Sequence, residues 1–251
     1  MKELKLRGYV MPEDFEGTDG ERIQKALDLA KSEDIARVVL KGEYHAEAPI
    51  TVPDGMHLVF DNGVLYGNLQ NQVVNNFSFE SDRIYIEGKN GKLVGNIRFC
   101  HTAHVVLEHL EIDGNVTLDV SRDFRMEYVG IGGSLTLGRG TQNAIIQHIK
   151  CKRAVMLGED QGYDINGRER VFKNIILRDS EIGEGVRLTA AEDCGFLNIQ
   201  INDVKAEGVG VVLGEEGVSL PAEQYKNLTF VHIDAPQPVL FYNEYLHAYV
   251  K

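Results

Sequence analysis

Apolar residues return along this chain at one recurring set of offsets. Counting from Ile175, Leu177, Ile182, Val186 and Leu188 stand at +2, +7, +11 and +13. The same register runs from Val105 through Leu107, Ile112, Val116 and Leu118, and from Phe124 through Met126, Ile131, Leu135 and Leu137. Further copies start at Ala144 and Leu228, a looser one starts at Leu197, and weaker ones begin near Val38, Leu58 and Ile84. Steps of two are the period of a strand, not the three-and-four spacing of a helix. The breaks near +4 and +9 predict that each unit bends twice, giving three short strands.

Val105 to Phe124 is 19 residues and Phe124 to Ala144 is 20, with longer insertions before Ile175 and Leu228. A unit of about twenty residues cannot enclose a core alone and must stack on its neighbours. The prediction is an all-β fold: a single-stranded right-handed parallel β-helix of about nine coils, forming one domain over residues 1–251. A leucine-rich repeat has a similar period, but its LxxLxLxxN signature is missing and the apolar residues are mostly Ile, Val and Phe. Asn143, Asn174 and Asn227 precede the first apolar position of their units, where Asn tolerates unusual turn angles.

One stretch departs from this period. Ile23, Ala26, Leu27 and Ala30 fall at i, i+3, i+4 and i+7, and Thr18 with Glu21 has capping-box spacing. This predicts a helix near residues 20–32 that closes the exposed end of the first coil. At the other end, residues 241–251 hold Tyr242, Tyr245, Leu246, Tyr249 and Val250. They are expected to cover the last coil or to meet another subunit in a homo-oligomer, since an open coil presents unpaired backbone.

Acidic residues outnumber basic ones 38 to 26, a formal charge of −12, so long-range attraction to nucleic acid or anionic membrane is not expected. Cys100, Cys151 and Cys194 are odd in number and lack CxxC spacing, which suits a reduced compartment and core positions. The start MKELKLRGYV has no apolar h-region, and no stretch is long and apolar enough to span a bilayer. The expectation is a cytoplasmic chain, or a secreted one if its signal peptide is lacking.

The segment from Asp14 to Gly63 resembles the opening of pectin-lyase-like right-handed β-helix proteins: a Gly/Asp-rich lead, a helix containing IQxAL (here IQKAL), a VVxxGxY strand and turn (here VVLKGEY), then a strand after Pro53-Asp54-Gly55. The stretch NIILRDSEIGEGVRL, residues 174–188, is similar to the coil grammar of polygalacturonases, the family 28 glycoside hydrolases. That resemblance implies a carbohydrate-active protein, either hydrolase-like or lyase-like. The family's NTD, DD, GHG and RIK signatures would fall on Gly133-Ser134, Lys152-Arg153, Gly183-Glu184-Gly185 and Gly208-Val209-Gly210. None is intact, and inverting hydrolysis needs two carboxylates facing each other across the sugar, so the family's catalytic residues are not carried over. Composition points to no cofactor. The lyases of the superfamily imply calcium, for which Glu159, Asp160 and Asp164 would be oxygen ligands.

Two outward columns are candidates for chemistry. Position +4 holds His109, Tyr128, His148, Asp179 and His232, beside Glu108, Glu127, Gln147 and Arg178 at +3; it is either a hydrated bend or a row that binds sugar or metal. The second column follows the last bend and the insertion 158–173. Between residues 139 and 178 eight basic and four acidic residues make a local +4, suited to uronate carboxylates, which Arg binds in bidentate fashion. Here Glu184 is expected as general acid or base, with Asp160 or Asp164 as second carboxylate. Lys152, Arg153, Arg187, Arg168, Tyr163, Glu192 and Asp193 are expected to hold an acidic oligosaccharide or polysaccharide. The alternative is a non-catalytic β-helix serving as a binding or assembly module, with Glu184 and Arg187 a surface ion pair of little energetic weight.

Overall fold

A computed structural model describes residues 6–71, 83–138, 140–158, 171–189, 195–214 and 224–242, and the backbone of 249–250. Asp160, Tyr163, Asp164, Arg168, Glu192 and Asp193 lie outside these residues, as do Glu159 and Cys194.

The chain winds as a right-handed parallel β-helix of nine coils among the described residues. Every strand pairing is parallel and joins one coil to the next, such as Ile112 opposite Ile131 and Val155 opposite Val186. The third strands of all coils form one nine-stranded sheet. First and second strands form two further faces, which merge where coils 7 to 9 run through both in the continuous strands Val171–Ile182, Gly195–Lys205 and Tyr225–Asp234. The three separate strands expected per coil thus become two in this part, although the bend survives as a left-handed residue within each long strand (Asp179, Asp203 and His232).

Alternation places the apolar set inside. Leu177, Val186 and Leu188 are buried, and the interior ranks stack along the axis, as where Phe172 meets Phe196 at 5.2 Å. Register differs from the sequence reading at three coils. Ile199, not Leu197, pairs with Ile175 and is the buried start of coil 8; Leu197 is only partly covered. The extra residue of that coil lies between Ala206 and Val211. In coils 1 and 2, Val38 and Leu58 align through Ile86 with Leu107, so they occupy position +2, not zero. Cys100 and Cys151 are buried.

The helix Asp19–Ser32 closes the first coil. Thr18 and Glu21 form the reciprocal capping box, and Ile23, Ala26, Leu27 and Ala30 are fully buried. Edge backbone that a first coil leaves open is satisfied one strand at a time. Val10 bridges the first strand, Asp19 accepts from the His45 amide at 2.8 Å, and Gln24 exchanges two hydrogen bonds with the backbone of Thr51. At the far end the backbone of Tyr249–Val250 adds a strand beside Thr229 and Phe230 of the last coil. Tyr242 is exposed, while Tyr245 and Leu246 fall outside the described residues.

Candidate binding groove

Two positions of the coil are left-handed, one of them the bend at +4 seen in the sequence. His104, Asp123, Asn143, Asn174, Asn198 and Asn227 stand one residue before position zero with φ between 52° and 57°. Their side chains form a ladder, each Asn donating its amide to the preceding coil at 2.9–3.0 Å, from Asn227 to Asn198 and on down to Asp123. Position +4 is also left-handed, at His109, Tyr128, His148, Asp179 and His232. Asn, Asp and His are enriched in this conformation, whereas a bulky Tyr is an outlier there. Tyr128 is nonetheless held at φ 54° and is half exposed. Its ring is stacked between His109, 5.0 Å away, and His148, 4.7 Å away.

The +3 residues next to this stack are occupied with one another. Arg125 contacts both Glu108 and Glu127, Gln147 donates to Glu127 at 2.7 Å, and Arg178 donates twice to the Gln147 carbonyl. The Arg125 guanidinium and the Gln147 amide hold the Glu127 carboxyl below the usual carboxylate range. Among the described residues no group of His, Cys, Asp and Glu is arranged to hold a metal ion.

On the other side of the stack, a groove of about 690 Å³ runs along the outside of the second strands. Strand register aligns Lys92, Glu111, Gly130, Lys150, Glu181 and Lys205, one per coil from coil 3 to coil 8. Two residues further on, Asp113, Gly132, Lys152 and Gly183 occupy the next outward position of coils 4 to 7. Coil 5 therefore contributes no side chain at either position, and the carboxylate of Glu111 lies over Gly130. Tyr128 and His148 form its rim. Lys92 pairs with Asp113 at 3.2 Å and Lys150 with Glu181 at 3.4 Å, whereas Glu111, Lys152 and Lys205 make no ion pair with a described residue. Beneath the floor, burial pushes the Cys151 thiol up.

The residues singled out around Glu184 divide. Glu184 lies in the turn between second and third strands, not on a strand face, and outside the groove lining. Its carboxylate meets Arg153 Nε at 3.4 Å and Arg187 Nη2 at 4.0 Å, and all three side chains are exposed. Of the described candidates around Glu184, Lys152 alone lines the groove. Nor do the flanking glycines make room for a ligand. A Cβ on Gly183 would strike the carbonyl of Lys152, one on Gly185 would strike that of Val209, and Gly185 sits at φ 78°. They are required by the close stacking of coils. The sequence reading missed Gly130, Gly132, Glu111 and Lys205 as parts of one site; the run Gly130-Ile131-Gly132-Gly133, glycine at outward positions of a strand, is the signal that could have found it.

No protein-family model matches the chain, and none of the curated proteins does. Among solved structures the chain is similar to PfbA, a surface adhesin of Streptococcus pneumoniae, with a TM-score of 0.60 and 8% identity over 94% of this chain and 81% of that one. The A-module of the Azotobacter vinelandii mannuronan C-5 epimerase AlgE4 aligns over 96% of this chain and 99% of its own at 15% identity and a TM-score of 0.39. The Agl-KA catalytic domain aligns over 97% and 67% at 13% identity and 0.31. At such identity the likeness to PfbA is one of fold, and it agrees with the pairing of the strands: the chain is a right-handed parallel β-helix closed at its N-terminal end by a helix.

Proposed function

We propose that this chain is a carbohydrate-binding β-helix, holding an acidic, uronate-containing glycan in the groove along the second strands of coils 3 to 8. The observation that carries the reading is Tyr128. A bulky ring kept at a left-handed corner, exposed and flattened between two imidazoles beside a glycine-floored trough, is costly for the backbone and unnecessary for a bend. With both ring faces covered by imidazoles, the exposed edge and hydroxyl of Tyr128 offer a fixed donor and acceptor for sugar hydroxyls at the rim of the groove. Lys152 and Lys205 supply cations for carboxylates along the same groove.

Binding needs no second carboxylate beside Glu184, and the exposed triad with Arg153 and Arg187 accounts for that residue as surface charge pairing. The polygalacturonase resemblance favours a glycan but supplies no intact catalytic signature. Titration calorimetry with uronate-containing and neutral oligosaccharides tests the reading. A uronate-containing ligand should bind with salt-sensitive affinity, and Tyr128→Ala should weaken it by about tenfold, the equivalent of one lost hydrogen bond. Failure of every glycan to bind would return the chain to the assembly-module reading.

A further inference from the structure

The two walls of the trough carry opposite charge. On the coil 4 side stand Glu111 and Asp113, and on the coil 6 side Lys150 and Lys152, with only Gly130 and Gly132 between them in coil 5. At a strand spacing of about 4.8 Å the walls lie two coils, or roughly 9.6 Å, apart. Local pairing removes half of these charges from the trough. Asp113 is engaged by Lys92 from coil 3, and Lys150 turns away to Glu181 of coil 7. What is left is one carboxylate, Glu111, on one wall and one ammonium, Lys152, on the other, displaced from each other along the strand by one outward position.

Glu111 also leans into the trough. Its carboxylate lies over Gly130 so closely that a Cβ at that position would collide with it. Lys152 is exposed and flanked on both sides by glycine, Gly132 in coil 5 and Gly183 in coil 7. Neither charge makes an ion pair with a described residue, and both side chains are exposed.

Granting that the groove is the glycan site, the geometry points to a ligand of both signs: a glycan alternating a free amino sugar with a uronate, its ammonium on Glu111 and its carboxylate on Lys152. A purely anionic chain would lay a carboxylate against Glu111 and Asp113, and like-charge contact is the usual means by which a site rejects the wrong partner. The net charge of −12 adds to that rejection at long range. A disaccharide unit with its amino sugar toward coil 4 and its uronate toward coil 6 spans the two walls, its edge at the rim residue Tyr128.

The test compares three probes on the whole protein: an oligosaccharide alternating free-amine glucosamine with glucuronate, the same compound N-acetylated, and an oligogalacturonate. The free-amine form should bind at least tenfold tighter than the other two. Glu111→Gln should erase the difference between the first two probes, and Lys152→Gln should weaken both by a similar factor. Equal affinity of wild-type protein for free-amine and acetylated forms, or tightest binding of the oligogalacturonate, overturns the two-sign inference while leaving the acidic-glycan reading in place. Discrimination that survives Glu111→Gln overturns it as well. If none of the three binds, the groove is not a glycan site and both readings fall together.

Discussion

His148 lies parallel to Tyr128 one coil away, their ring centroids 4.7 Å apart and their planes within 7°. Both residues are left-handed, so the stack is built on two strained corners. Tyr128→Asn should relieve backbone strain of about 1–2 kcal/mol and lose ring stacking of similar size, leaving the melting temperature nearly unchanged. Glycan affinity should fall about tenfold. Unchanged affinity in calorimetry would remove Tyr128 from the site.

The asparagine ladder is structural, and its middle member carries two rungs. Asn174→Ala removes the amide bonds to Asn143 and from Asn198, each worth about 1 kcal/mol, and forces alanine into a left-handed corner at about 1 kcal/mol more. Denaturant unfolding should show a loss of about 2–3 kcal/mol. Asn174→Gly should lose roughly 1 kcal/mol less, because glycine accepts the corner.

His57 is half-buried, and desolvation holds its imidazole below the ordinary value of 6.5 despite the Glu87 carboxylate 3.0 Å away. The native state therefore prefers the neutral ring, while the unfolded chain takes up a proton once pH falls below about 6.5. Stability from this group is complete above that pH and declines as pH falls from it toward the lowered native value. Unfolding free energies measured between pH 8 and pH 5 should show this slope, and His57→Gln should flatten it. An unchanged slope in the variant assigns the dependence to other groups.

Two glycines separate stacking from recognition. Gly183→Ala drives a methyl into a backbone carbonyl and should cost about 1–3 kcal/mol, the usual penalty of overpacking. Gly130→Ala meets only the flexible end of Glu111, so stability should hardly change while glycan affinity falls. If the two variants behave alike, coil 5 is not an open trough.

Glu184→Gln tests the remaining expectation of chemistry. Its exposed pairing predicts a stability change below about 1 kcal/mol, and its place outside the groove predicts glycan affinity within about twofold. Loss of glycan turnover with binding retained would identify Glu184 as a proton-transfer group; turnover that persists dismisses it.

The architecture was readable in the sequence because a coil repeats its constraints. Ile175, Leu177, Ile182, Val186 and Leu188 answer to the same narrow interior as Phe124 or Ala144, and the Thr18–Glu21 box is a local signal complete in itself. Register failed at Leu197, where two apolar residues two apart both fit position zero and only pairing with Ile175 or Lys173 decides between them. The site was less legible for a related reason. Tyr128 and His148 stood out by residue type, but the trough is made of what coil 5 lacks, and a missing side chain acquires meaning only once Glu111 and Lys150 are known to stand on either side of it. Around Glu184, glycine carried two readings, and the carbonyls of Lys152 and Val209 decide for the stacking one.

The stacking of one layer per coil has a bearing on how such a protein can change over evolutionary time. The groove draws its lining from between Lys92 and Glu207, with no coil supplying more than five residues of it, and each coil answers only to the two beside it. A segment inserted at a corner leaves the spacing of the wall charges untouched, whereas a coil gained or lost between Glu111 and Lys152 would shift one wall by a full layer. Loop length is thus free to drift, and the layer count across the trough acts as the ruler that fixes ligand size.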